Sequence, residues 1–247
     1  MAIGSLASRA AFRAIKAGYR LPRFYALNEF RQHTRTIDEL RKHQINLVFD
    51  VGANRGFYSQ HLRASGYEGY IVAFEPVSDC FDELNWRMRG DPRFKAFNCA
   101  LGDQIGSIVF NEIRVGNNEA VLSSFLSHRG DLPTKQSVVP VRTVRDILET
   151  EAPVADPRVF LKMDTQGYDL KVFAGCENAN EIKLLLSEVS VFPLYHEMPP
   201  YTEALATYEQ AGFELLDMFV VGETDRGNIG EFDVLMGRVA SMEAIDC

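Results

Sequence analysis

The stretch NLVFDVGANRG at residues 46–56 limits the fold more than any other part of this 247-residue chain. Its apolar run ends on Asp50, and a glycine turn that begins at Gly52 leads into a helix-like segment. This order is typical of a buried strand ending in a tight turn, where a parallel α/β sheet binds a nucleotide-like ligand. The next apolar run ends on Glu75, 23 residues after Gly52, about where a ribose-binding carboxylate is expected.

Strand-like and helix-like segments alternate along most of the chain, over residues 46–89 and again over 159–211. Such alternation predicts a mostly parallel sheet with helices on both faces. Residues 213–221 and 231–239 resemble two strands around a glycine-rich turn, and they predict an antiparallel hairpin at the sheet edge. Residues 103–145 interrupt the alternation with short strand-like pieces, and we interpret them as an insertion beside the ligand site.

Composition and charge narrow the function classes. The net charge of −8 argues against broad nucleic-acid binding, which needs clustered Lys and Arg. The four cysteines have no CxxC spacing and no paired histidines, so neither a zinc site nor a disulfide framework is predicted. Reduced thiols in a cytoplasmic protein are the simplest interpretation. No apolar run reaches the roughly 18 residues that a membrane-spanning helix needs.

The N-terminal segment is basic and periodic. Residues 1–28 contain five Lys or Arg and no acid, with apolar residues at roughly helical spacing. This pattern predicts an amphipathic helix that packs on the domain, forms a lid near the active site, or lies on an anionic membrane. We assign residues 1–44 to this segment, residues 45–240 to the main domain, and residues 241–247 to a tail.

The glycine turn distinguishes between nucleotide ligands. A P-loop needs GxxxxGK[ST], and no Lys follows Gly56. Of the dinucleotide fingerprint GxGxxG only the first glycine, Gly52, is present. Asp50 would repel a diphosphate but suits a ligand with an ammonium group. S-adenosylmethionine has these features, because its ribose hydroxyls could donate to Glu75 and its adenine amino group to Asp103.

Six motifs resemble those of one known family. The motifs are VFDVGANRGFYS, AFEPV, NCALGD, LKMDTQGYDLKVFAG, SEVSVFPLY and FDVLMGRV. They look like the successive motifs of FkbM-type S-adenosylmethionine-dependent methyltransferases, over roughly residues 45–239. The resemblance implies a Rossmann-like class I methyltransferase fold, with a seven-stranded, mostly parallel sheet and an antiparallel last strand. Family members often carry Glu where this chain has Gln166, so one negative charge is missing there.

The resemblance also implies a cofactor site and a reaction. By position, the family's cofactor-binding residues match Asp50, Gly52, Asn54, Gly56, Glu75 and Asp103. We assign to the same site Ala53, Phe57, Pro76, Ala100, Leu101 and Asp164. The implied reaction is transfer of a methyl group to a hydroxyl of a sugar, glycolipid or other natural product, with S-adenosylhomocysteine as the second product.

The candidates for catalytic residues are Asp164, Glu188 and His196, since an alcohol usually has to lose its proton to attack a methyl group. His33 and His128 are further candidates for the base. Asp164 ends a buried strand at the edge where such folds hold ligands. Glu188 lies in the next strand region, and His196 lies in the loop after it. A histidine pKa of roughly 6.5 suits a base near neutral pH. A carboxylate pair could instead hold Mg²⁺, but no DxD or HxH spacing supports this, and we predict no metal.

Two alternative functions stay open at this point. One is a nucleotide-dependent oxidoreductase, which the incomplete dinucleotide fingerprint disfavours. The other is a non-catalytic, methyltransferase-like binding module. We expect a small-molecule partner and no nucleic acid, with membrane contact only through the basic N-terminus. The acceptor itself is not predicted, because loops vary freely on a constant fold.

Overall fold

A computed structural model describes residues 25–113, 123–130, 132–177, 179–224 and 226–239. The basic segment predicted over residues 1–28 therefore lies mostly outside the described residues. The described part forms six helices, α1 (Tyr25–Lys42), α2 (Phe57–Ala64), α3 (Ser78–Met88), α4 (Val144–Thr150), α5 (Asp169–Ala174) and α6 (Tyr201–Gln210). None of these helices is long and apolar enough to cross a bilayer.

The described residues also form ten strands in two sheets. The strands are β1 (Leu47–Val51), β2 (Tyr70–Phe74), β3 (Phe94–Phe97), β4 (Ala100–Leu101), β5 (Gly106–Ile113), β6 (Thr134–Arg142), β7 (Val159–Met163), β8 (Ile182–Ser190), β9 (Phe213–Glu223) and β10 (Ile229–Arg238). The main sheet has seven strands in the order β3-β2-β1-β7-β8-β10-β9. The first five of these pair in parallel, and β10 is antiparallel to both β8 and β9. The predicted fold class and the edge hairpin are confirmed.

Successive residues of a strand point to opposite faces of the sheet. The apolar strands of the main sheet therefore present apolar side chains on both faces, and helices cover both. Phe49 of β1 belongs to a buried cluster that includes residues of α4, α5 and α6. Its neighbour Val48 belongs to the opposite cluster, which includes Leu40 of α1 and Leu62 of α2. The central strand β1 is buried along its whole length. Its end is therefore a rigid place from which to position a ligand-binding turn.

The second sheet has three strands, and two of them, β5 and β6, lie within residues 103–145. Its order is β4-β6-β5, so the short strand β4 joins the insertion strands to the main domain. Helix α4 was not predicted. Val144 and Ile147 bury it in the main core, and the Thr143 side chain accepts a hydrogen bond from the Asp146 backbone at its N-terminus. The last residues of the predicted insertion therefore belong to the helix layer.

Candidate active site

The candidate site is a cavity of about 240 Å³ at the carboxyl ends of β1, β2 and β7. This is the edge where open α/β sheets hold their ligands. The apolar part of its lining is Val51, Phe74, Pro76, Val77, Ala100, Leu101, Phe110 and Phe125. The polar part includes Asn54, Glu75, Ser123, Asp164, Thr165, Gln166 and Glu188. The cavity thus combines an apolar wall with a carboxylate-rich wall.

The glycine turn is held between the ends of two strands. The backbone N–H groups of Gly52 and Ala53 both donate to the carbonyl of Phe74, at 3.0 and 3.1 Å. Gly52 has a φ of +73°, and a Cβ placed there would lie 2.0 Å from the backbone oxygen of Asp164. Only glycine fits both the left-handed backbone and this close approach. The turn therefore fixes the start of α2 against the end of β7.

Glu75 is a buried carboxylate with two backbone partners. One oxygen accepts from the N–H of Asn54 at 2.7 Å, and the other accepts from the N–H of Val77 at 2.8 Å. Burial raises the pKa of Glu75 to about 7, although both N–H groups and Lys162 act in the opposite direction. The Asn98 amide donates to the Glu75 backbone oxygen at 2.9 Å. Both carboxylate oxygens are thus held in place at the cavity wall.

Asp50 lies in β1, directly before the glycine turn. Its side chain is fully buried and is not part of the cavity lining. One oxygen lies 3.2 Å from the Lys162 ammonium, and the other accepts from the Ser59 hydroxyl at 2.7 Å. The expected contact between Asp50 and a ligand ammonium stays a prediction, and the partners of Asp50 within the protein are Lys162 and Ser59. The carboxylate is already used to hold a buried lysine.

Lys162 links this buried ion pair to the cavity. Its ammonium lies 3.5 Å from Asp164 and 3.4 Å from the Gly52 carbonyl oxygen. Burial alone would lower the pKa of Lys162, but the charges of Asp50 and Asp164 more than offset it and hold the pKa above its ordinary value. The lysine is therefore charged, and it connects the turn after β1 with the end of β7.

Asp164, Gln166 and Glu188 form a connected group at the carboxylate-rich wall. The Gln166 amide nitrogen donates to Glu188 at 2.7 Å and lies 3.3 Å from an oxygen of Asp164. The Asp164 side chain is 45% exposed. Burial, followed by the charges of Asp164 and Asp233, raises the pKa of Glu188 well above its ordinary value. One amide thus bridges two carboxylates of different environment.

Residues other than Asp164 and Glu188 also hold Gln166 in place. Its φ is +53°, an uncommon backbone for a residue with a side chain. The Ser124 hydroxyl donates to its backbone oxygen at 2.8 Å, and the Tyr195 hydroxyl donates to its side-chain oxygen at 3.1 Å. Ser124 comes from the insertion and Tyr195 from the loop after β8. Two other chain segments therefore hold Gln166, whose amide contacts Glu188.

Other predicted site residues fall into two groups. Pro76, Ala100 and Leu101 line the cavity, whereas Ala53 is buried within the turn and Gly56 is the N-cap of α2 with a φ of +84°. Three residues are directed elsewhere. Phe57 is 52% exposed with the Arg87 guanidinium 4.1 Å from its ring centre, and Asp103 pairs with Lys171 at 2.8 Å. His196 is exposed and is not part of the cavity lining. The structure therefore does not bring His196 to the candidate site.

Comparison with known proteins identifies the family. The model of the methyltransferase FkbM domain matches residues 50–215. The chain belongs to this family. The matched range contains the glycine turn, Glu75 and the whole Asp164–Gln166–Glu188 group, and the strand order of the FkbM domain here is that of a class I methyltransferase. No curated protein sequence matches the chain.

Three solved structures resemble the FkbM domain at low sequence identity. Methyltransferase FkbM from Methylobacillus flagellatus KT is 17% identical, with a TM-score of 0.45 over 76% of this chain and 43% of that one. This chain thus spans less than half the length of that protein. Precorrin-6y C5,15-methyltransferase from Geobacter metallireducens GS-15 is 11% identical, with a TM-score of 0.47 over 84% and 87% of the chains. Aeropyrum pernix fibrillarin, solved with natively bound S-adenosyl-L-methionine, is 11% identical, with a TM-score of 0.43 over 78% and 66%.

Sequence reasoning missed three residues of the FkbM domain that matter for this geometry. Lys162 stands two residues before Asp164, and a charged residue within an otherwise apolar strand was an available signal. Asp233 pairs in register with Glu188 across β8 and β10, but this neighbourhood depends on the order of the strands. Tyr195 directly precedes His196 in the same loop, and the pattern gave no reason to prefer it.

Proposed function

We propose that the chain transfers a methyl group from S-adenosylmethionine to a hydroxyl oxygen of a small molecule, such as a sugar, glycolipid or other natural product. Membership of the FkbM methyltransferase family and the cavity at the sheet edge support this reaction. The observation that carries the cofactor assignment is Glu75, a buried carboxylate fixed by two backbone N–H groups at the cavity wall.

The residues present fit the cofactor. Each oxygen of Glu75 accepts one backbone N–H and keeps a second lone pair, so the carboxylate still accepts from two ribose hydroxyls. Ala100 and Leu101 offer an apolar surface to an adenine ring. Gly52 and Asn54 place backbone where the amino-acid end would lie. When bound, the cofactor supplies a methyl group on a positively charged sulfur.

Asp50 and Asp103 take indirect roles in this proposal. Asp50 acts through Lys162, whose charge it balances beneath the turn. Asp103 forms an ion pair with Lys171 and is not part of the cavity lining. The contacts to the methionine and adenine ends therefore rely on backbone and apolar groups more than the sequence indicated.

Glu188 is the proposed base. Its raised pKa brings a carboxylate toward the range where it can take a proton from an alcohol near neutral pH. Gln166 holds one of its oxygens, and Asp164 adds negative charge beside it. Because an attacking hydroxyl oxygen gains positive charge, these carboxylates also stabilise the transition state. His196, exposed in its loop, has no part in this arrangement.

An amine acceptor is the second candidate. Four carboxylates, Asp164, Glu188, Glu231 and Asp233, act on one another at the end of β8 and β10, since the first raises the pKa of the other three. Of these, Asp164 and Glu188 line the cavity, and a cation beside them would favour their ionised forms. An amino sugar or another cationic small molecule would therefore be concentrated at the site, and methyl transfer to its nitrogen would use the same base.

Binding of the cofactor is tested by titration calorimetry with S-adenosylhomocysteine. Glu75→Gln should weaken binding by roughly 10- to 100-fold, because its amide NH₂ opposes a backbone N–H and cannot accept from a hydroxyl. Glu68→Gln, an exposed acid in the turn before β2, is the matched control and should bind normally. Unchanged affinity in Glu75→Gln, with the fold intact by circular dichroism, would remove the cofactor assignment.

Turnover is tested with labelled S-adenosylmethionine and matched panels of hydroxyl and amine acceptors. Glu188→Gln should bind the cofactor like the parent protein but lose most of the turnover on whichever acceptor is methylated, since a general base contributes about 10²–10⁴-fold. Methylation of amines alone would select the second candidate. Cofactor binding with turnover unaffected by Glu188→Gln would exclude Glu188 as the base.

A further inference from the structure

Two histidines and a glutamate meet on the helix face beside the active-site cavity. Glu29 and His33 are four residues apart on α1, so their side chains lie on one face of the helix. His61 projects from α2, which packs next to α1. None of the three belongs to the cavity lining described above. The cluster shares no residue with that lining, although the groove beside it also reaches Gly52, Asn54 and Asp164.

The ligand atoms of these residues are spaced like a metal coordination shell. Nε2 of His33 lies 3.1 Å from Nδ1 of His61, and a Glu29 oxygen lies 3.7 Å from that Nδ1. All three residues offer a donor atom within 4.8 Å of the others. Donors around a tetrahedral ion with bonds of roughly 2.05 Å are about 3.4 Å apart. One ion would contact all three donors after small side-chain rotations.

We propose that Glu29, His33 and His61 bind one divalent transition-metal ion, with at least one coordination position left for water. Two imidazoles and one carboxylate are a donor set for Zn²⁺ and its neighbours in the first transition row, and they suit Mg²⁺ poorly because that ion prefers oxygen ligands. The sequence spacing did not reveal this site, because His33 and His61 come together only through the packing of two helices.

The surroundings of the cluster suit a bound ion. A groove of about 440 Å³ is lined by Glu29, His33 and His61, and it gives an ion an entry path from solvent. The Tyr58 ring packs edge-on against His33, with ring centres 5.7 Å apart, and restrains the orientation of that imidazole. Ligand rings held by their neighbours bind metal more tightly than free ones.

The competing interpretation is a direct hydrogen bond between the two histidines, in which one neutral imidazole donates to the other. A hydrogen bond of this kind makes no use of Glu29 as a ligand and gives no response to metal. The two interpretations therefore separate in a titration of the full chain with metal alone, without cofactor or acceptor. The result is independent of the methyltransferase proposal.

The test is titration calorimetry with Zn²⁺ on the full chain, together with the visible absorption of Co²⁺. We expect one Zn²⁺ per chain, no comparable heat with Mg²⁺, and a Co²⁺ spectrum of low coordination number. His33→Ala and His61→Ala should each weaken Zn²⁺ binding at least about tenfold. Glu29→Gln should weaken it while leaving both imidazoles in place. The exposed His196→Ala is the matched control and should bind like the parent protein.

Zn²⁺ binding that is equally strong in His33→Ala and His61→Ala would overturn the site, as would absence of binding in the parent protein. Circular dichroism of each variant confirms that its fold is intact before titration. Since the ion links α1 to α2, Zn²⁺ should also raise the thermal unfolding midpoint of the parent protein and not that of His61→Ala. An equal shift in both proteins would also contradict the assignment.

Discussion

Lys162 shows how one side chain can serve both stability and the site. It lies between Asp50, which is fully buried, and Asp164, which lines the cavity. A buried charge is tolerated only when it is paired, and here each charge of the inner pair depends on the other. The lysine also approaches the Tyr58 ring at 5.3 Å. Its removal therefore affects the fold before it affects any ligand.

Replacement of Lys162 by methionine should destabilise the protein by about 3–5 kcal/mol, because it leaves the Asp50 carboxylate buried without its partner. The double variant Lys162→Met with Asp50→Asn should recover much of this loss, since the neutral amide costs less to bury. Urea unfolding gives both free energies. A double variant no more stable than the single one would show that the pair is not coupled.

Gln166 marks the point where the chain departs from the pattern often found in its family. Its amide donates toward both Glu188 and Asp164. A glutamate here would add a third negative charge and lose both of these hydrogen bonds. The sequence showed that this position carries Gln rather than Glu. Its contacts with Asp164 and Glu188 became visible only in the structure.

At the scale of elements, the turn after β1 ties three strands together. It hydrogen-bonds to the end of β2 through Phe74 and touches the end of β7 through Asp164. This contact depends on Gly52 lacking a side chain. Gly66, at the end of α2, has a similar φ of +87° but has open space where a Cβ would lie. Substitutions at these two glycines can therefore distinguish the cost of backbone strain from the cost of steric overlap.

Gly52→Ala should destabilise the protein clearly more than Gly66→Ala. Both variants bear the cost of a left-handed alanine, roughly 1–2 kcal/mol, and only the first forces a Cβ against backbone at 2.0 Å. Chemical unfolding of the two variants gives the difference directly. Equal losses would mean that the turn moves away from Asp164 without cost.

The helices and strands were predicted more fully than the tertiary contacts between their residues. Apolar runs with flanking glycines or acids located β1, β2, β7 and β8, because buried parallel strands have a continuous apolar signal. Helix α4 was missed because its seven residues carry too short a periodicity. Within the site, Glu75 followed from spacing alone. The burial of Asp50 and the exposure of His196 depend on tertiary contacts that neighbouring residues in the sequence do not record.

For the molecule as a whole, buried acids set the pH dependence of stability. Burial is the largest cause that raises the pKa of Glu75 and of Asp233 to about 7. It also raises the pKa of Asp169 and Glu231. Carboxyls of the unfolded chain titrate near pH 4. Between about pH 4 and 7 the folded state therefore binds more protons at these sites than the unfolded state does.

These acids should make the protein lose stability as pH rises from about 4 to 7, because stability falls where the folded state holds the extra protons. His33 and His43 have lowered pKa values and act in the opposite direction. Both histidines are present in the parent protein and in Asp233→Asn, so their contribution to the pH dependence cancels when the two proteins are compared. Urea unfolding at several pH values should show that the variant gains relative stability as pH rises. A constant difference would contradict the raised pKa of Asp233.

The position of β10 has a consequence for biosynthesis. This strand lies between β8 and β9, and in the described part of the sheet it is the partner of both. A ribosome delivers β8 and β9 first, so a nascent chain holds two strands with unsatisfied backbone until residues 229–238 have been translated. Leu215 and Met218 of β9 remain more than 40% exposed even in the finished fold. During synthesis this half of the sheet is an exposed edge of the kind that chaperones protect, and it assembles last.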